Sequence, residues 1–257
     1  MPKIISIHSF RGGTGKSNTS ANVAALLAAQ GHRVGVVDTD INSPGIHILF
    51  NIDEDDIQYS LNDYLWGRCK IEQTALNVTQ SLKNDPQNKM DFSGEIFLIP
   101  SSMKVGEIAR ILREGYDVGL LNDGYEQVID TLNLDYLVID THPGVNEETL
   151  LSIAISDALA IIMRPDAQDY QGTSVTIEIA RKLDVPHMML IVNKAPTSLD
   201  EAALQKRITD TYAYPVAAVI PHSDDLMTLA SSGIFGLQNP EHPVTAKYKQ
   251  IAASLTQ

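Results

Sequence analysis

Eight consecutive residues, Phe10-Arg11-Gly12-Gly13-Thr14-Gly15-Lys16-Ser17, carry the plainest chemistry in the chain. Glycines at this density let successive backbone N–H groups turn inward around phosphate oxygens, where a Cβ would stand in the way. The chain becomes helical immediately afterwards, and a helix N-terminus adds partial positive charge. Lys16 is placed to reach β- and γ-phosphates, and the Ser17 hydroxyl to ligate Mg²⁺. Gly12, Gly13, Thr14, Gly15, Lys16, Ser17 and Asn18 form the expected phosphate-binding set. Two acids, Asp38 and Asp40, follow the apolar pair Val36-Val37. Carboxylates beside a Mg²⁺-triphosphate hold metal-bound water and orient the attacking water. A third acid, Asp140, ends the apolar run Leu137-Val138-Ile139 in the manner of a Walker B strand and is expected on the Mg²⁺ side. Thr141-His142-Pro143-Gly144 then reads as a γ-phosphate sensor. His142 is read there as a loop residue whose backbone matters more than its imidazole, since positioning and charge stabilisation dominate phosphoryl transfer. Asn193-Lys194 ends a later strand as a plausible reader of an adenine edge. The stretch from Val219 to Asp225 ends the last strand and is placed to close over the base, with Pro221 and Asp224 as its candidate contacts.

These residues need elements to position them. Short apolar runs recur at 4–7, 34–37, 96–99, 136–139, 159–162, 188–192 and 216–220, each followed by a helical pattern. They are near-continuous rather than alternating, as strands covered on both faces are. A helix is expected over 18–30, closed by Gly31. The reading is α/β: one doubly wound, mostly parallel sheet with helices on both faces, where ligands bind at the carboxyl ends of strands. The chain is expected to be one domain over 1–257, with a polar, acidic insertion at about 51–93 that includes a short helix near Leu61–Trp66.

Composition narrows the classes. The net charge is −13, with the acidic excess concentrated before residue 170. An acidic surface argues against a high-affinity nucleic-acid binder, though not against a local basic patch. Cys69 is the only cysteine, so one chain makes no internal disulfide and no four-cysteine cluster. No apolar run approaches the ~18 residues of a membrane span, and Met1-Pro2-Lys3 opens no signal-peptide pattern. A cytoplasmic protein is expected.

The ordered set 12–17, 37–40, 140–144 and 193–194, with 220–243 beyond it, resembles the ParA/MinD family of deviant Walker ATPases over nearly the whole chain. The resemblance implies a P-loop ATPase in which ATP and Mg²⁺ drive a face-to-face homodimer and slow hydrolysis separates it. It implies that Asp40 activates water, and that Asp38 and Asp140 serve the metal. It further implies a cargo, an adaptor or activating partner protein, and a nucleoid or membrane platform. At Arg11 the family carries a signature lysine that reaches the other subunit's ATP. Arginine keeps the charge with a larger, bidentate fork. Either Arg11 acts in trans as an arginine finger, or the role has moved to another cation or been lost. The carboxysome-positioning McdA group departs at the same place. Iron–sulfur members need paired cysteines that are absent here. The last helix, 244–255, lacks the basic amphipathic character of a membrane anchor, so no direct membrane binding is expected. Non-specific double-stranded DNA is the expected platform, through Lys206, Arg207, Lys247 and Lys249, with Arg181 and Lys182. The alternative is a regulatory ATPase that works through protein partners without DNA.

Overall fold

The computed structural model describes residues 1–91 and 93–257. In chain order its elements are β1 (Lys3–His8), α1 (Lys16–Ala29), β2 (Arg33–Asp38), α2 (Ile46–Leu49), α3 (Leu61–Leu65), β3 (Leu76–Asn77), α4 (Thr79–Asn84) and β4 (Glu95–Ile99). They continue as α5 (Val105–Glu114), α6 (Gly119–Leu132), β5 (Tyr136–Asp140), α7 (Glu147–Ala154), β6 (Ala158–Met163), α8 (Ala167–Lys182) and β7 (His187–Ala195). The remainder is α9 (Glu201–Tyr212), β8 (Val216–Pro221), α10 (Asp224–Thr228), α11 (Phe235–Gln238) and α12 (Pro243–Leu255).

The sheet runs β3-β4-β2-β5-β1-β6-β7-β8. All neighbours are parallel except β3 against β4. Each apolar run of the sequence lies in a parallel strand whose residues are almost all buried, as strands covered on both faces must be. On one face Ile5, Ile7, Val34, Val36 and Val138 pack under α1, α11 and α12. On the other, Val37, Ile99, Leu137 and Ile139 meet α3 and α6, and Leu159, Ile161, Leu190 and Val192 meet α8 and α9.

The segment 51–93 does more than decorate. It supplies β3, whose Leu76 and Asn77 pair antiparallel with Leu98 and Phe97. It also buries Leu61, Leu65, Ile71, Val78 and Leu82 in the core. A two-residue strand has no periodicity to read, so the antiparallel edge was not visible beforehand. The helix expected at the C-terminal end docks by its apolar side: Val244, Tyr248, Ile251, Ala252 and Leu255 are all buried against the sheet. Among the described residues no helix is long and apolar enough to cross a membrane.

β1 is flanked by β5 on one side and β6 on the other, so the connections leaving the sheet diverge at its carboxyl end. That is where open α/β sheets leave a crevice for ligands, and where residues 9–17 emerge.

Candidate functional site

The loop between β1 and α1 turns through two left-handed glycines, Gly13 at φ 77° and Gly15 at φ 94°, a conformation side chains resist. A Cβ at Gly12 or Gly13 would meet no atom within 4 Å, so the loop faces open space there. Gly15 is different: a Cβ would lie 2.3 Å from Asn193 Nδ2. That approach serves a contact, because Asn193 Nδ2 donates to the Thr14 carbonyl at 2.7 Å and Lys194 Nζ to the Gly13 carbonyl at 2.8 Å. Asn193 Oδ1 in turn accepts from Lys194 N at 2.9 Å. The end of β7 thus braces the loop, and the base-reading role expected of Asn193 would have to share a buried amide already engaged on both atoms. Pro221 pairs in register with Ala195, and a cavity of about 210 Å³ lies beside them, lined also by Pro196 and Val219. Asp224 begins α10 and is exposed, 3.3 Å from His222. Ser17 and Asn18 occupy the first turn of α1, half-buried.

Beneath the loop the charges converge. Lys16 Nζ donates to Asp140 Oδ1 at 2.9 Å, with both side chains buried. The Ser20 hydroxyl donates to the same oxygen at 2.8 Å. Asp140 Oδ2 is buried with no partner among the described protein groups. Asp38 stands opposite Asp140 in the β2–β5 register. Its oxygens accept from Asp40 N at 3.0 Å and Gly45 N at 3.1 Å. Burial, and then the neighbouring Asp140 charge, push Asp38 from 3.8 up to about 7. Burial also raises Asp40, against the pull of Lys16. Asp40 Oδ1 is buried without a hydrogen bond, and His142 Nε2 lies 3.6 Å from it. His142 Nδ1 lies 2.6 Å from the Pro143 carbonyl and Nε2 lies 3.1 Å from Asn42 Nδ2. The neutral ring that fits donates from Nδ1 and accepts at Nε2.

The donor set fits a hard dication carried by a triphosphate. Two carboxylates and the Ser17 hydroxyl would offer it oxygen donors, and Mg²⁺ is typically held by one or two carboxylates together with substrate phosphates. Among the described residues no cluster of three or more His, Cys, Asp or Glu holds a metal by protein groups alone. Ser20 was not singled out in the sequence. A serine four residues after Lys16 on a helix carries no local sign of an aspartate 120 positions away.

Arg11 is found in an unexpected place. Its Nη1 donates to Asp169 Oδ1 at 3.1 Å and lies 3.5 Å from Asp166 Oδ1, at the start of α8. The ring of Phe10 lies against Gly172, where a Cβ would come within 2.2 Å of it. Neither aspartate stood out in the sequence, because both come next to Arg11 only when β6 pairs with β1.

An uncharacterised ATP-binding protein of Methanocaldococcus jannaschii is 26% identical over 254 residues, covering 98% of this chain and 86% of that one. The cell division ATPase MinD of Pyrococcus furiosus superposes with a TM-score of 0.80 at 19% identity, covering 100% and 99% of the two chains. Apo McdA of Cyanothece superposes at 0.74 and 16% identity, covering 99% and 100%. A family model, "ParA: NUBPL iron-transfer P-loop NTPase", matches residues 1–256. The iron-transfer part of that description finds little here: Cys69 is the only cysteine, and burial pushes its thiol up to about 11. The cradle, the buried lysine and the acids at neighbouring strand ends belong to the other part, and with a match over essentially its full length the chain belongs to the ParA family of P-loop NTPases.

Proposed function

We propose that this chain is a slow Mg²⁺-dependent ATPase that works as an ATP-operated dimerisation switch in the cytoplasm. In this reading it positions or partitions an intracellular cargo, with non-specific nucleoid DNA as platform and an adaptor protein that stimulates turnover. One observation carries it: Lys16, Asp38, Asp40 and Asp140 converge beneath a glycine cradle with carboxylate oxygens at Asp40 and Asp140 left unpartnered. On ATP binding, Lys16 turns from Asp140 toward the phosphates. Asp140 and Asp38 would hold Mg²⁺, which would supply charge stabilisation, and Asp40 would orient the attacking water. His142 and Asn42 link the 141–144 loop to the residues after β2, so loss of the γ-phosphate reaches both loops together. Arg11 contacts nucleotide phosphate, in trans if the family geometry holds. Carboxysome positioning is one cargo consistent with this reading.

The experiment is light scattering of Asp40→Ala with ATP-Mg²⁺ and with ADP, followed by a DNA shift on the same samples. A dimer with ATP only, retained on DNA at low salt, is expected. A monomer with both nucleotides overturns the switch.

A specific observation favours a second reading, in which the dimer acts only through protein partners. The cations assigned to DNA are largely engaged within the chain. Lys206 pairs with Asp210 at 2.6 Å and Lys247 with Glu201. Arg207 donates to the Tyr170 hydroxyl, and Arg181 to the Tyr214 hydroxyl and the Tyr212 carbonyl. Phosphate neutralisation would have to displace those acids. ATP-dependent dimerisation without DNA retention supports this second reading.

A further inference from the structure

The Arg11 contact is built so that it can open. Asp169 is 3% exposed, and a carboxylate that deep must keep its partners. It has them without Arg11: Oδ2 accepts from Arg164 N at 2.8 Å and from Arg164 Nε at 3.3 Å. Asp166 is likewise supplied. Its Oδ1 caps α8 by accepting from Gln168 N and Asp169 N, and its Oδ2 lies 3.2 Å from Arg164 Nη2. Departure of Arg11 therefore leaves both carboxylates paired with Arg164 through Oδ2, while Asp169 Oδ1 gives up its one hydrogen bond and is free to take Arg11 back. The guanidinium itself sits at the rim with 37% of its side chain exposed, where an ion pair is weak and exchangeable.

The loop entrance stays put meanwhile. Phe10 rests on Gly172, Ser9 Oγ donates to the Arg11 carbonyl at 2.8 Å, and the Ser9 carbonyl accepts from Gly144 N at 3.0 Å. The backbone is pinned while the side chain swings. Guanidinium pairs in bidentate fashion with carboxylate and phosphate alike, and the phosphates expected over the adjacent cradle are the natural competitors of these two aspartates for it.

We propose that Asp169, assisted by Asp166, is a positioning residue that parks Arg11 in cis and competes with nucleotide phosphate for its guanidinium. The inference rests on the reading of the cradle as an ATP site. It adds a distinct step, in which Arg11 leaves α8 before it contacts phosphate.

The test compares wild type, Asp169→Asn, Arg11→Ala and the double variant, by titration with a fluorescent ATP analogue and by light scattering over the same ATP range. Asparagine keeps an oxygen for Arg164 and turns an amide N–H₂ toward Arg11, so it ejects the guanidinium selectively. Half-saturation, or half-dimerisation, is expected to move about three- to tenfold lower in ATP for Asp169→Asn. Arg11→Ala is expected to weaken it, and the double variant to behave as Arg11→Ala, because Asp169 acts only through Arg11. A purely structural role would not produce tighter binding or that non-additivity. Asp166→Asn, which keeps a competent helix cap, is expected to move in the same direction by less, and it decides the matter should Asp169→Asn not fold. Unchanged or weaker nucleotide binding in both aspartate variants overturns the proposal. If wild type binds ATP and stays monomeric, the switch reading falls, while the affinity shifts still judge the parked arginine.

Discussion

At the β2–β5 flank of the loop, Asp40 Oδ1 and Asp140 Oδ2 are buried without hydrogen-bond partners, and Asp38 is held near neutrality by burial. At the β6–β7 flank, Asp169, Asp166 and Asn193 have each of their oxygens engaged. The two flanks lie on either side of β1 and are similarly polar, yet one is incomplete and the other finished. Native proteins rarely leave buried polar atoms unpaired, so the incomplete flank marks where a ligand is needed. The finished flank marks what holds the loop in place for it. Polarity alone would not have separated the two; satisfaction does.

The contrast is open to challenge by mutation. Lys16→Ala removes the cation that compensates Asp140 on the incomplete flank and is expected to have the largest effect. Breaking a buried pair from one side costs about 3–5 kcal/mol, read by urea denaturation, together with loss of fluorescent ATP binding. A stability loss below about 1 kcal/mol would mean that Asp140 is not held there as a charge. On the finished flank, Asn193→Ala leaves the Thr14 carbonyl without its donor. It is expected to lower stability by about 1–3 kcal/mol while nucleotide binding survives, weakened. Complete loss of binding would move Asn193 across the comparison into the ligand's own contacts.

The raised Asp38 gives the contrast a pH signature. Its folded state holds a proton that the unfolded chain has lost between about pH 4 and 7, so its stabilising contribution fades as pH rises through that window. Mg²⁺-nucleotide must displace that proton, so its affinity is expected to rise over the same range. Calorimetry near pH 6 in buffers of different ionisation enthalpy should find release of about one proton on Mg-ADP binding. No release would place Asp38 among the structural acids. The smallest effect on stability is expected from Asp40→Asn, and with opposite sign. It removes a partly buried charge whose Oδ1 lacks a hydrogen bond, so thermal stability holds or improves by under about 1 kcal/mol. ATP turnover meanwhile falls by about 10²-fold or more.

What could be read beforehand follows the same divide. The glycine loop, Lys16, Asp38, Asp40 and Asp140 are legible because spacing from an apolar run places each at a strand's carboxyl end, and the parallel sheet then gathers those ends. The parallel strands among the described residues are legible because burial on both faces writes long apolar runs. β3 is not, since Leu76-Asn77 is too short to carry a period. The bracing of the loop by Asn193 and the seat of Arg11 on Asp169 were not legible either. Both are side-chain bonds across more than 150 residues, and their geometry exists only after β6 and β7 have joined the sheet. Knowing that Arg11 stands in the loop said nothing about which way its guanidinium points.

The place of β1 in the sheet also sets a clock. Residues 3–8 can take their position only between 136–140 and 158–161, and the loop they carry is braced by residues 193 and 194. The most recognisable segment of the chain is therefore made well before the residues that brace it, and becomes competent only once residues 193 and 194 have left the ribosome. Pairings this distant form slowly. Until they do, the glycine loop lacks the bracing that shapes it for a phosphate.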